Sequence, residues 1–115
     1  MAAPERLICA AADLRDGGDA VRFECVGPQG LQPAFALRWH GRVYAWRNEC
    51  RHVSLELDWN PGKFLDDSGL YLVCAMHGAL YEPDTGLCVS GPCTGKALYP
   101  LTAVERDGAI YLIET

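Results

Sequence analysis

The chain contains no run approaching ~18 consecutive apolar residues, so no segment reads as a membrane-spanning helix. Positive charge is also scarce: 10 Lys and Arg stand against 15 Asp and Glu, a net charge of -5. Phosphate backbones are held by basic faces, so this balance excludes a nucleic-acid partner and favours basic ones. There is no glycine-rich nucleotide loop and no long segment of helical periodicity, which removes nucleotide chemistry and a helical bundle. The apolar run Leu7-Ile-Cys-Ala-Ala-Ala12 stops at Asp13, is too short for a signal peptide and follows no twin arginine. A cytoplasmic protein is expected. With 115 residues, the chain is expected to form one domain over residues 1–115, with no room for a second catalytic module.

What is present is a succession of short strand-like segments divided by turn signals. Residues 7–10 and 21–26 flank Asp16-Gly-Gly-Asp19, and residues 34–39 and 42–46 flank His40-Gly41. Residues 101–105 and 109–113 flank Asp107-Gly108, a strong hairpin dipeptide. A further hairpin is expected for residues 64–65 and 70–73 around Asp66-Asp-Ser-Gly69, with another turn at Pro83-Asp-Thr-Gly86. The pattern predicts an all-β fold, a small antiparallel sandwich or barrel.

Six cysteines could form a disulfide framework, but that reading belongs to small secreted chains. Cys9 and Cys25 sit in apolar strand surroundings and read as buried hydrophobes. Cys50-Arg-His52 and Cys74-Ala-Met-His77 are different. Each pair stands at the end of a predicted strand, where a loop can aim a thiolate and an imidazole at one point, and 21 residues separate the pairs. Two thiolates and two imidazoles suit zinc or an iron–sulfur cluster. Mixed zinc sites usually draw two cysteines from one arm and two histidines from the other. Here each arm carries one of each, as a two-iron cluster with an asymmetric ligand shell requires.

On Cys50-Arg-His52 and Cys74-Ala-Met-His77-Gly78, and on Asp84-Thr-Gly86 and Gly91-Pro92, the sequence resembles Rieske-type [2Fe–2S] proteins, and within them the small soluble Rieske ferredoxins. The resemblance covers roughly residues 34–113. It implies a Rieske-like antiparallel sandwich with a two-loop cluster-binding subdomain and one [2Fe–2S] cluster per chain. Cys50 and Cys74 would ligate the inner iron, and His52 and His77 the outer iron. Around them it implies Leu57 as an apolar shield, Gly78 for close backbone approach, Tyr81 as a hydroxyl donor to a ligand sulfur, and Pro92 in a loop beside the cluster. Ala79 stands where high-potential members carry a serine. The interval of 21 exceeds the family's more common spacing, consistent with an enlarged excursion over residues 60–69, and Leu55 and Met76 replace the loop cysteines of the respiratory members.

The remaining candidates read more simply. His40 is expected to be an exposed turn residue, Trp39, Trp46 and Trp59 packing residues, and Asp66-Asp67 a solvated turn. Cys88 and Cys93 are either free thiols beside the site or a disulfide. Two ferric ions, two sulfides and two thiolates sum to zero, and neutral imidazoles in place of thiolates make an electron easier to add. The expected function is one-electron transfer between a reductase and a terminal oxygenase or similar acceptor, without catalytic residues of its own. A small Rieske subunit of a larger redox enzyme, as in nitrite reductases, and a structural zinc module are the alternatives.

Overall fold

The structure is a computed structural model that describes residues 5–28, 30–51, 55–58 and 60–114. His52 and Trp59 lie outside the described residues. The strands are β1 (Glu5–Ala10), β2 (Val21–Gly27), β3 (Gly30–Trp39), β4 (Arg42–Arg47), β5 (Leu72–Val73), β6 (Leu80–Tyr81), β7 (Cys88–Ser90), β8 (Pro100–Arg106) and β9 (Ala109–Ile113), with one 3-10 turn at Ala11–Asp13. They form a six-stranded sheet in the order β1-β9-β8-β4-β3-β2 and a three-stranded sheet β5-β6-β7, with every strand pairing antiparallel. The all-β expectation holds.

Two hairpins fall where the sequence placed them, for a backbone reason. His40 and Gly41 have φ of 50° and 82°, and Asp107 and Gly108 have φ of 53° and 76°. Two successive left-handed residues make the type I′ geometry that matches strand twist. His40 is exposed, as a turn residue should be. The expected hairpin at residues 64–73 is present in reduced form, as a bridge between Leu65 and Leu72 with Asp66 N–H donating to the Tyr71 carbonyl.

Strand β3 runs four residues further back than its apolar stretch suggested. Its early half carries Pro33 and pairs only with β2, Glu24 opposite Pro33. Pairing with β4 begins at Ala34, so the missing proline N–H lies just beyond that ladder, where the Pro33 carbonyl instead accepts from Asn48 N–H at 2.8 Å.

From Ala34 to Leu37 all four side chains of β3 are fully buried, so this strand is covered on both faces. Ala34 and Ala36 face the inside of the curled six-stranded sheet, with Ala45, Ile110 and Leu112, while Phe35 and Leu37 face the opposite way with Trp46. The second face packs on Leu57, Phe64, Leu72, Tyr81 and Leu98, so the small sheet and its loops sit on the outside of β3 and β4. The sheet's outer strands approach each other through Arg6, whose guanidinium donates to the Glu24 carbonyl.

The excursion over residues 60–69 is a clamp between the two layers. Phe64 stacks on Phe35 with ring centroids 3.8 Å apart and 14° between planes. The Gly62 carbonyl accepts from Ala20 N–H at 2.9 Å, and Lys63 pairs with Asp19 at 2.8 Å on the surface. Because a buried phenyl both fills volume and stacks, Phe64→Ala is expected to lower unfolding free energy by about 3 to 5 kcal/mol. A urea titration would show this as a lower midpoint at unchanged slope, whereas Lys63→Ala should move the midpoint little, since exposed ion pairs contribute at most about 1 kcal/mol.

Candidate metal centre

The two loops expected to carry ligands emerge side by side. Cys50 follows β4, and Cys74 follows β5. Both are buried, at 2% and 0% exposure, and their thiols are in hydrogen-bonding contact although 24 positions apart in sequence. The loops are tied to each other by Ala75 N–H donating to the Leu57 carbonyl at 2.9 Å, and the first is closed on itself by Cys50 N–H to the Leu55 carbonyl at 2.8 Å. The second turns at Gly78, whose φ of +72° is the left-handed region that a side chain resists; Gly78 N–H donates to the Cys74 carbonyl at 2.8 Å, and Cys74 N–H to the Ala79 carbonyl at 2.9 Å.

His77 is exposed on this second loop, one turn of chain from a fully buried cysteine. The centre is therefore graded, with sulfur donors inside and an imidazole at the surface. Leu57 is completely buried in the same core as both cysteines. Ala79 is also buried, and Gly91 lies so close that a Cβ there would come within 2.9 Å of the Ala79 Cα. Pro92 is exposed in the neighbouring turn.

The polar groups around the sulfurs suit negative charge. Main-chain N–H groups of Met76 and His77 donate to the Cys74 sulfur. The Tyr81 hydroxyl is 3.4 Å from Cys50 Sγ and accepts from Arg51 N–H at 3.0 Å. Burial, and next the adjacent Cys50 thiol, pushes the Cys74 thiol up, while the two main-chain N–H donors pull the other way. Tyr81 is held protonated, well above its usual value, by burial and then by its two sulfur neighbours. Two adjacent buried thiols resist ionisation until a cation compensates them. Dry paired sulfurs, amide and hydroxyl donors aimed at them and a surface imidazole alongside form a donor set that fits a mixed-ligand iron–sulfur cluster.

Sequence reasoning missed the groups that hold the first loop. Asn48 is 1% exposed; its side-chain oxygen accepts from Leu57 N–H at 2.8 Å and its amide donates to Asp58 at 2.9 Å. Asp58, fully buried as a side chain, also accepts from Gly62 N–H at 3.0 Å and pairs with Arg22 at 3.4 Å. Arg51 stacks over Tyr99 and donates to the Ala97 carbonyl at 2.7 Å. An Asn and an Asp bracketing the Cys-x-His segment were the available signal. Trp46 is core, donating to the Pro83 carbonyl at 3.2 Å with its ring against Gly86; Trp39 is half-buried and stacks on His40.

Fold and site together define an electron carrier of the mixed thiolate–imidazole iron–sulfur class. A family model described as the Rieske [2Fe-2S] domain matches residues 5–106, and the chain belongs to that family, with a Rieske-type [2Fe–2S] cluster as its cofactor. The chain is 29% identical over 108 residues to the ferredoxin CarAc of Metapseudomonas resinovorans, covering 91% of this chain and 89% of the relative. Among solved structures, a complex of reduced oxygenase and oxidised ferredoxin in carbazole 1,9a-dioxygenase matches with TM-score 0.74 at 26% identity, covering 95% of this chain and 92% of that one. The fold also recurs in the ferredoxin of carbazole 1,9a-dioxygenase from Nocardioides aromaticivorans IC177, with TM-score 0.73 and 18% identity over 96% and 98% of the two chains. It recurs again within the terminal oxygenase from Novosphingobium sp. KA1, with TM-score 0.78 and 20% identity over 99% of this chain but 31% of that one.

Removing the Asn48 side chain leaves a buried N–H and a buried carboxylate short of partners, at a cost of about 1 to 3 kcal/mol. Asn48→Ala is expected to speed loss of iron to a chelator several-fold while the far-ultraviolet circular dichroism stays native. Iron loss at the wild-type rate would show that this bracket does not govern the loop.

Proposed function

We propose that the chain is a diffusible one-electron carrier between a reductase and a terminal oxygenase or similar acceptor, with Cys50, His52, Cys74 and His77 holding its cluster. The observation that carries the reading is the near end-to-end likeness to a ferredoxin of the same size, 91% of one chain against 89% of the other. Oxygenase chains share the domain over about a third of their length or less. The reading takes residues 1–115 as a single domain in the cytoplasm. None of the six cysteines, all of them described, is joined in a disulfide, which suits that reducing compartment, and among the described residues no helix is long and apolar enough to cross a membrane.

When bound, the cluster supplies a one-electron couple. The protein's part is to keep the Cys50 and Cys74 sulfurs dry, to present Met76 and His77 N–H and the Tyr81 hydroxyl to them, and to bring the exposed His77 within reach of a partner. Leu55 and Met76, 46% and 50% exposed, stand on the same two loops and offer an apolar contact around that exit. The surplus of acidic residues steers the approach of a basic docking surface. The relative in the carbazole 1,9a-dioxygenase complex is itself paired with an oxygenase, which supports the choice of acceptor.

The ligand assignment is tested by substitution. His52→Ala, His77→Ala, Cys50→Ser and Cys74→Ser should each lose most of the bound iron and sulfide, while Cys88→Ser retains both. Colour and iron content of purified variants decide, and a colourless wild-type protein carrying zinc would end the redox reading altogether.

Docking has its own test. Screening shortens charge interactions to ~10 Å at 0.1 M salt, so second-order electron transfer from a reductase should slow severalfold as ionic strength rises through that range. A rate indifferent to salt would leave the apolar rim of Leu55 and Met76 as the whole of the recognition.

A further inference from the structure

Cys88 and Cys93 are absorbed by no role in the centre, yet the main chain holds them together. Cys88 N–H donates to the Lys96 carbonyl at 2.7 Å, Gly95 N–H to the Cys88 carbonyl at 3.0 Å, and Lys96 N–H to the Cys93 carbonyl at 2.9 Å. These bonds shut a small ring over Ser90-Gly91-Pro92, with Gly91 turning at φ +101° against Ala79. The two sulfurs lie 2.9 Å apart, the Cys93 thiol donating to Cys88 and the Cys88 thiol to the Ser90 carbonyl at 3.3 Å. Burial, and then Cys93, pushes the Cys88 thiol up to about 11, so it is a thiol at neutral pH. Between this pair and the metal centre stands one group, the Tyr81 hydroxyl, 3.1 Å from Cys93 Sγ and 3.4 Å from Cys50 Sγ.

We propose that Cys88 and Cys93 are a dithiol–disulfide couple, oxidised by low-molecular-weight disulfides, whose state sets whether Tyr81 shares its proton with Cys93 or gives it to Cys50. The coupling to Cys50 rests on the ligand assignment above. In the oxidation, Cys93 sulfur, uncovered when the exposed turn at Gly91 and Pro92 lifts, attacks one sulfur of the small disulfide and releases the other half as a thiol. Cys88 sulfur then displaces the second half. One S–S bond is exchanged for another, two electrons pass to the small disulfide, and the two thiol protons leave on its two halves.

Geometry favours the intramolecular step. The sulfurs need to close by roughly 0.9 Å to reach the ~2.04 Å bond length, and the backbone ring already holds them in place, so little chain entropy remains to be lost. Closure moves the Cys93 sulfur toward Cys88, and the coupling requires that this lengthen its 3.1 Å contact with the Tyr81 hydroxyl. The Tyr81 oxygen already accepts from Arg51, so its single proton is then left with Cys50. A donor to a ligand sulfur favours the more negative reduced state, so oxidising the pair raises the midpoint potential.

The test treats the cluster-loaded protein with oxidised glutathione under argon, alkylates remaining thiols, maps peptides and titrates the potential. The expected result is a Cys88–Cys93 linked peptide and an upward shift of about threefold in the reduced-to-oxidised ratio, ~30 mV at 59 mV per decade. In Tyr81→Phe the link should form with no accompanying shift, and in Cys88→Ser neither should appear. Full alkylation of Cys88 and Cys93 after treatment, or a glutathione adduct that never resolves, would overturn the couple; an equal shift in Tyr81→Phe would overturn the role of Tyr81. Iron and sulfide content of the same samples report on the ligand assignment separately, and the linked peptide decides the couple even if that assignment fails.

Discussion

The contact between the Cys50 and Cys74 thiols, both shut away from water, is the constraint that the neighbouring chain satisfies. Metal ligation needs thiolates, and a pair of adjacent buried anions is costly unless cation, N–H and O–H groups converge on them. The converging protein groups are main-chain N–H donors from Met76 and His77 and the Tyr81 hydroxyl. Tyr81 stands on β6, but the main-chain donors hold their place without support from a continuous sheet, because residues 48–51, 55–58 and 74–79 lie outside the strands. Rigidity therefore comes from discrete hydrogen bonds. Asn48 grips Leu57 and Asp58, Leu57 grips Ala75, and the Ala79 carbonyl grips Cys74.

Those loops are only as steady as the floor beneath them. That floor is the outer face of β3 and β4, where Phe35, Leu37 and Trp46 meet Phe64, Leu72 and Tyr81. Covering β3 on both faces demands small residues on the side where the large sheet curls on itself, and Ala34, Ala36 and Ala45 are found there. Large residues on one face and alanines on the other thus follow from a strand that serves two layers. The long excursion between the ligand pairs belongs to the same scheme, since Phe64 and Gly62 carry it back onto the barrel side, leaving the exposed imidazole of His77 uncovered by it.

Features written in consecutive residues were legible from sequence. Asp107-Gly108 and His40-Gly41 specify left-handed turns by themselves, and the expectation that Cys50 and Cys74 come together from separate loops is met by the contact between their thiols. What escaped depended on residues far apart in the chain. The early half of β3 was hidden because Pro33 argues against a strand until the accompanying ladder is known to lie on its other side. The Phe64–Phe35 stack, the Arg51–Tyr99 contact and the partnership of Asn48 with Asp58 are likewise products of tertiary approach. Cys88 and Cys93 were seen as neighbours of the site with their state left open; the structure leaves both as thiols, drawn together by the ring of main-chain hydrogen bonds that closes on Lys96.

The two sides of the centre are thereby given separate tasks. On the surface side, His77 with Leu55 and Met76 is exposed as the proposed docking requires, so changes there are expected to act on encounter and electron exit. On the interior side, Ala79 offers no hydroxyl and is pressed by Gly91, so tuning by side-chain donors falls on Tyr81. Tyr81 cannot serve two sulfurs with one proton. Its oxygen already accepts from Arg51, and the hydrogen must be divided between Cys50 and Cys93. On the proposed coupling, a residue so placed ties the electron affinity of the centre to whatever fixes the position of Cys93, and that is the turn after β7, which packs through Gly91 on Ala79 at the base of His77's loop.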